Sequence, residues 1–142
     1  MSSIRERIVR AVIERLRIAV APVEVLRQPA TAQPREASPF LAVIAQSDTR
    51  DADLNTTSQR VLSLRLTAVS RDVADPWGQA DALLCAAHRA LLADPTLAGL
   101  ALSTTLQDVD FEAEDADAAA IAVPAMYAIT YRTARADLTE GG

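Results

Sequence analysis

Residues 60–71, RVLSLRLTAVSR, followed at 75–93 by DPWGQADALLCAAHRALLA, decide how this chain folds. In the first stretch Leu62, Leu64, Leu66 and Ala68 fall on one side of an extended backbone, and Ser63, Arg65 and Thr67 on the other. Strict alternation of this kind marks a strand with one face on a core and one face turned outward. In the second stretch the spacing changes to a helical one. Asp75 can accept from the orphan amides of a first turn, and Pro76 stands where a missing N–H costs nothing. Ala80, Leu83, Leu84, Ala87, Leu91 and Leu92 then make a broad apolar face whose alanines permit close approach to a sheet, and Asp94 and Pro95 end the helix. An apolar strand face joined to an apolar helix face predicts a two-layer unit, with the remaining elements added around it.

Toward the N-terminus, Ser3 and Glu6 form a capping-box pair directly ahead of a stripe made by Ile4, Ile8, Val12 and Leu16, which predicts an amphipathic first helix. Residues 18–26 carry β-friendly valines around Pro22, and an edge or entry strand is expected because proline cannot donate to a ladder. Three prolines between Arg27 and Pro39 predict a surface loop. Phe40 to Ala45 is short, apolar and strand-like, and the polar stretch that follows at 46–59 reads as a second long loop.

Toward the C-terminus, residues 100–114, LALSTTLQDVDFEAE, and 120–135, AIAVPAMYAITYRTAR, predict two antiparallel strands. Ile121, Val123, Ala125, Tyr127, Ile129 and Tyr131 share parity, with Met126, Thr130 and Arg132 opposite, and Pro124 suggests an edge position or a bulge. The predicted fold is α+β: one mainly antiparallel sheet with an N-terminal amphipathic helix and a central helix packed on one face. Residues 1–142 are expected to make a single domain, with 1–3 and 136–142 as flexible ends.

Composition narrows the function. The chain has 142 residues and 50% hydrophobic content, yet its aromatic residues are Phe40, Trp77, Phe111, Tyr127 and Tyr131, so the core must be mostly aliphatic. Fourteen arginines against 19 acidic residues leave a net charge of −5, which argues against a broad phosphate-binding surface and against sequence-specific nucleic-acid binding. No apolar run approaches the ~18–20 residues that span a bilayer, and the first helix has no aromatic anchor, so no membrane partner is expected.

Catalytic raw material is scarce. His88 is the single histidine, and Cys85, set among Leu83, Leu84, Ala86 and Ala87, reads as a small buried hydrophobe that cannot form an internal disulfide. Cys85 and His88 lie three apart on the central helix, which makes a thiol enzyme the sharpest catalytic alternative. No phosphate loop, nucleophile elbow or paired-cysteine motif is present, and the reading is of a non-enzyme without cofactor. The concentrated feature is acidic: Asp108, Asp110, Glu112, Glu114, Asp115 and Asp117. The first four share parity and would line one face of an extended chain. The spacing is not that of an EF-hand and the turning glycine is missing, so no metal site is expected and the stretch reads as an acidic surface.

In the order and spacing of its elements the chain resembles the tail terminator, or tail completion, proteins of long-tailed bacteriophages and prophages. The resemblance is carried by SIRERIVRAVIERL at the start, RVLSLRLTAVSR leading into DPWGQADAL, HRALLADPTLAGLAL, and the closing ITYRTARADLT, and it covers almost the whole length. It implies a structural virion protein, assembled in the bacterial host cytoplasm and located in the virion tail. Such a subunit forms a ring with itself, hexameric in this family, that caps the tail tube, ends its polymerisation and offers the head-joining surface. Its implied partners are the tail tube protein and the head-tail connector protein. In that setting the acidic stretch becomes a candidate lumen or ring-face surface past which DNA slips, and the polar segments 27–39 and 46–59 become docking loops. The alternative within the same class is another neck or head-completion subunit.

Overall fold

A computed structural model describes residues 1–27, 39–72, 74–113 and 121–141. In chain order the elements are α1 (Ile4–Ala19), β1 (Glu24–Arg27), β2 (Phe40–Leu54), β3 (Thr57–Ser70), α2 (Pro76–Leu92), β4 (Ser103–Val109), β5 (Glu112–Ala113) and β6 (Ile121–Ala134). The strands form one sheet in the order β1-β2-β3-β6-β4, with β5 also pairing to β6. All pairs are antiparallel except β1 with β2. The fold is α+β, with both helices packed against one face of the sheet.

The alternation on β3 sets the core. Leu62, Leu64, Leu66 and Ala68 are buried and stand in register with Ile129, Tyr127, Ala125 and Val123 of β6. Above them lie Ile8, Val12 and Leu16 of α1 with Ala80, Ala87 and Leu91 of α2. Val9 and Ile13 are also buried, which makes the apolar face of α1 wider than its four-residue stripe. Phe40, Ala42, Val69 and Ala122 form a second, smaller buried cluster on the opposite face. Both helix starts follow the sequence. The Ser3 hydroxyl accepts from the Glu6 amide at 3.1 Å, and the Asp75 carboxylate accepts from the Gly78 amide at 3.0 Å. The Glu6 carboxylate does not return to the cap; it receives two 2.6 Å hydrogen bonds from the Arg27 guanidinium and so joins α1 to β1.

Several expectations are corrected. The strand expected at 18–26 starts only at Glu24 and ends at Arg27, because α1 continues to Ala19 and residues 20–23 turn the chain. Its place at the sheet edge is as expected. The polar stretch 46–59 is not a loop. β2 runs to Leu54 and β3 starts at Thr57, so the two strands close through Asn55–Thr56, with Asn55 in the left-handed region at φ 52°. Asparagine tolerates that conformation better than most residues, which makes this turn the local signal that a ladder continues. The stretch escapes a hydrophobicity reading because β2 beyond Ile44 is largely exposed, and backbone pairing, interrupted by bulges after Ala45 and Arg50, holds it. Of the first polar segment, 28–38 lies outside the described residues.

Pro124 stands in β6, an interior strand, rather than at an edge. Its carbonyl accepts from the Asp110 amide at 2.9 Å, so the side of its backbone that lacks an N–H faces the interruption between β4 and β5. The absent donor therefore falls where the ladder is already broken. The carboxy-terminal residues make bonds that their composition does not announce. The Leu138 carbonyl accepts from the Ile4 amide at 2.9 Å, the Thr139 carbonyl accepts from Arg7, and the Glu140 carbonyl accepts from the Ala134 amide at 2.9 Å.

Candidate functional site

β4 is the sheet's outer strand on the side away from β1, and α2 covers the sheet without reaching across β4's inner face. Leu106 and Val109 are three residues apart and would face opposite ways on a regular strand. A bulge at Gln107 adds one residue, so that Leu106 registers with Tyr127 and Val109 with Ala125, and both turn to the helix side. They remain 40% and 38% exposed there. Trp77, in the first turn of α2, and Phe111, just past β4, meet edge to face with ring centroids 6.1 Å apart. Together with Leu84, Cys85 and Val123 these side chains line a groove of about 750 Å³, along which Phe111 is 73% exposed. Asp81 and Arg89 stand among its lining residues. A contiguous exposed apolar surface bordered by charge is the ordinary signature of a binding surface.

His88 Nδ1 and the Tyr127 hydroxyl share a hydrogen bond of 2.8 Å beneath the groove. Burial, with a smaller contribution from neighbouring Cys85, pushes the Tyr127 phenol up to about 12, so it stays neutral and pairs with the imidazole as a hydrogen-bonding group. Cys85 is exposed, not buried. Each helical residue turns the chain by about 100°, so the residue after Leu84 faces away from the core despite its apolar neighbours. Its sulfur lies 3.9 Å from an Asp81 carboxylate oxygen. His88 is thus engaged with Tyr127 and Cys85 with an acid, whereas an activated thiolate needs a cationic neighbour and a base.

The acidic stretch is divided. Asp108 lies in β4, registered with Met126 on the face opposite the helices, and Asp110 follows it with its amide bound to Pro124; both are exposed. Glu112 is registered with Ala122 through the backbone of β5. The 106–108 bulge resets the alternation, and from Asp108 through Glu112 the parity holds. Glu114, Asp115 and Asp117 lie outside the described residues. Among the described residues no group of three His, Cys, Asp or Glu side chains is placed to hold a metal ion, and no helix is long and apolar enough to cross a membrane.

Sequence reading missed a charged cluster at the other end of the sheet. Asp48, with only 8% of its side chain exposed, accepts from Arg5 Nη1 and Arg60 Nε, each at 2.9 Å, and from the Tyr131 hydroxyl. The Arg60 guanidinium also donates to the Asp48 carbonyl at 3.2 Å. Burial, followed by the Asp48 carboxylate beside it, raises the Tyr131 phenol well above the usual tyrosine range. One carboxylate thereby ties α1, β2, β3 and β6 together. The available signal was Tyr131 itself, a core-parity tyrosine whose hydroxyl requires a buried partner.

Fold and groove define a two-layer α+β protein with an uncovered apolar edge. No family model matches the chain, and no curated protein matches it. Among solved structures, it is similar to a chain of the virion of a native gene transfer agent particle, with a TM-score of 0.57 and 11% identity over 86% of this chain and 92% of that one. At that identity the likeness is one of fold.

Proposed function

We propose that this chain is a structural protein of a phage-like virion, and within that class a tail terminator. In this reading it forms a ring on the end of the tail tube, stops tube polymerisation and presents the head-joining surface. The observation that carries the reading is the likeness of fold, over 86% of this chain, to a chain of a gene transfer agent virion. The order of elements on which the tail-terminator resemblance rests agrees with it, since the first helix, the long strand, the capped helix and the closing strand all form. Fold by itself does not set a role, so the finer assignment rests on what the molecule binds. The acidic residues at 108–117 serve in this reading as the lumen or ring-face surface, where like charge keeps passing DNA from adhering.

Electron microscopy of purified protein mixed with tail tubes tests the proposal. Ring-shaped density at tube ends, with tubes of uniform length, is the expected result. Protein that ignores tube ends and instead binds an isolated connector would place it among the neck or head-completion subunits, a reading the same virion likeness supports. Protein that binds neither would overturn both.

A further inference from the structure

β4 leaves main-chain groups open at the edge of the sheet. The carbonyls of Pro124 and Thr130 accept from the amides of Asp110 and Leu102 at 2.9 and 2.7 Å, so the even-numbered residues of β6 turn their main chain toward β4. This orientation alternates in an antiparallel ladder, and the odd-numbered Tyr127 and Ala125 turn theirs toward β3. Leu106 and Val109 are registered with those two residues and therefore point their N–H and C=O groups outward, where no further strand follows among the described residues. The same two residues leave their side chains exposed in the groove beside Trp77 and Phe111. Open main chain and uncovered apolar side chains thus coincide, and every residue from Thr105 to Asp110 is exposed.

Sheets ordinarily guard an edge with a very short strand, charged side chains or a proline. β1, at the other edge, is four residues long and carries Glu24 and Arg27 at its ends. β4 is seven residues long and contains neither proline nor a basic residue. Its bulge at Gln107 gathers Leu106 and Val109 onto one face instead of withdrawing them. On the opposite face Asp108 and Asp110 are exposed, and among the described residues no arginine forms an ion pair with either. From these observations we propose that the β4 edge takes up an extended segment of a partner protein by strand addition, with apolar residues at alternate positions and basic or uncharged ones between. Such a strand lies roughly 4.8 Å beyond β4. The bulge fits Leu106 to Val109 into the span of Tyr127 to Ala125, so two alternate residues of the added strand meet both and enter the groove. The residue between them comes beside Asp108, where an acidic side chain is repelled. β4 of a second copy would bring the aspartates of two chains onto one face, and like charges on neighbouring strands oppose that pairing. The inference goes beyond the ring reading and does not depend on it.

The test immobilises the full chain and selects from displayed random peptides of about nine residues, enough for a strand of ordinary length. The expected result is enrichment of sequences with apolar residues at every second position, Lys, Arg or Thr between them, and no acidic residue between. The most enriched peptide is then dye-labelled and its binding to the full chain followed by fluorescence anisotropy. N-methylation of its backbone should weaken binding at every second residue only, because alternate amides of a strand face the ladder. Val109→Lys should weaken binding by at least about tenfold while leaving the thermal unfolding of the free protein little changed, since Val109 is exposed. Four results overturn the inference: no enrichment, enrichment of a helical three-and-four spacing, selection of acidic peptides, and binding indifferent to the N-methyl position or to Val109→Lys. Self-association of the parent chain that Val109→Lys abolishes also overturns it, because the edge would then belong to a second copy. The tube-end experiment is separate from all of these, so the ring reading stands or falls independently.

Discussion

Replacing Asp48 by alanine is the most demanding test of how this fold is held together. The carboxylate is nearly buried, and its three partners differ in what they can do once it is gone. Arg5, with 41% of its side chain exposed, can return to water, whereas Arg60 at 24% and the buried Tyr131 cannot do so fully. Removing one member of a buried ionic group costs ~3–5 kcal/mol, because the groups left behind lose their partner without recovering hydration. Arg5 is the half-exposed partner, and its removal leaves the Asp48 carboxylate still held by Arg60 and Tyr131, so its loss falls near the ~0–1 kcal/mol of solvent-accessible ion pairs. The expected losses are therefore about 3 kcal/mol for Asp48→Ala and under about 1 kcal/mol for Arg5→Ala. For a domain of this size about 3 kcal/mol lowers Tm by roughly 10 °C. Tyr131→Phe should cost ~1 kcal/mol, and the double variant should fall short of the sum of its singles by ~0.5–1 kcal/mol, since both remove the same contact. Urea unfolding followed by far-ultraviolet circular dichroism is the appropriate assay, because Trp77 is 43% exposed and reports poorly on the core. An Asp48→Ala loss below about 1 kcal/mol, or strict additivity with Tyr131→Phe, would refute the account of Asp48 as the tie between α1 and the sheet.

Three further outcomes are expected. The Arg27 guanidinium beside Glu6 holds that carboxyl below its ordinary value of 4.5, so its contribution is complete above that pH and is lost as pH falls through the lowered value. A Tm series in acid should accordingly flatten in Glu6→Gln. The two tyrosines behave in the opposite sense: both phenols are raised, Tyr127 to about 12 from 10.0, so the stability they favour is complete below pH 10 and is lost as pH rises toward 12. Ultraviolet difference absorbance should show no tyrosinate at pH 10 in the native protein, and tyrosinate should appear together with unfolding. Cys85, exposed in the groove, should react with a thiol reagent in the native dilute protein without added denaturant. A cysteine that titrates only after denaturation would mean the groove is closed.

Much of the layered fold was legible before the structure because it rests on short-range rules. Alternation at Leu62–Ala68 and Ile121–Tyr131, helical spacing in α1 and α2, and the caps at Ser3 and Asp75 each depend on neighbouring residues, and each forms as read. The site was less legible. The bulge at Gln107 turns Leu106 and Val109 to the same face, and nothing in STTLQDV announces it. Cys85 was misread for a related reason, since apolar neighbours in sequence do not share its direction on a helix. The acidic residues were visible at once, but parity alone does not say which face of a sheet they take.

Reading the residues in order was enough to establish the class of fold, the two apolar helix faces, the strand faces that meet them and the scarcity of catalytic groups. It took the folded chain to show that residues 46–59 continue a ladder, that Pro124 can stand in an interior strand, and that Asp48 collects Arg5, Arg60 and Tyr131. The same holds for the Leu106–Val109 part of β4's inner face, which lies open beside Trp77 and Phe111. The division is physical. Periodicity and capping are local and repeat along the chain, whereas strand pairing, a buried charge's partners and the limit of what one helix can cover are set by residues far apart in sequence.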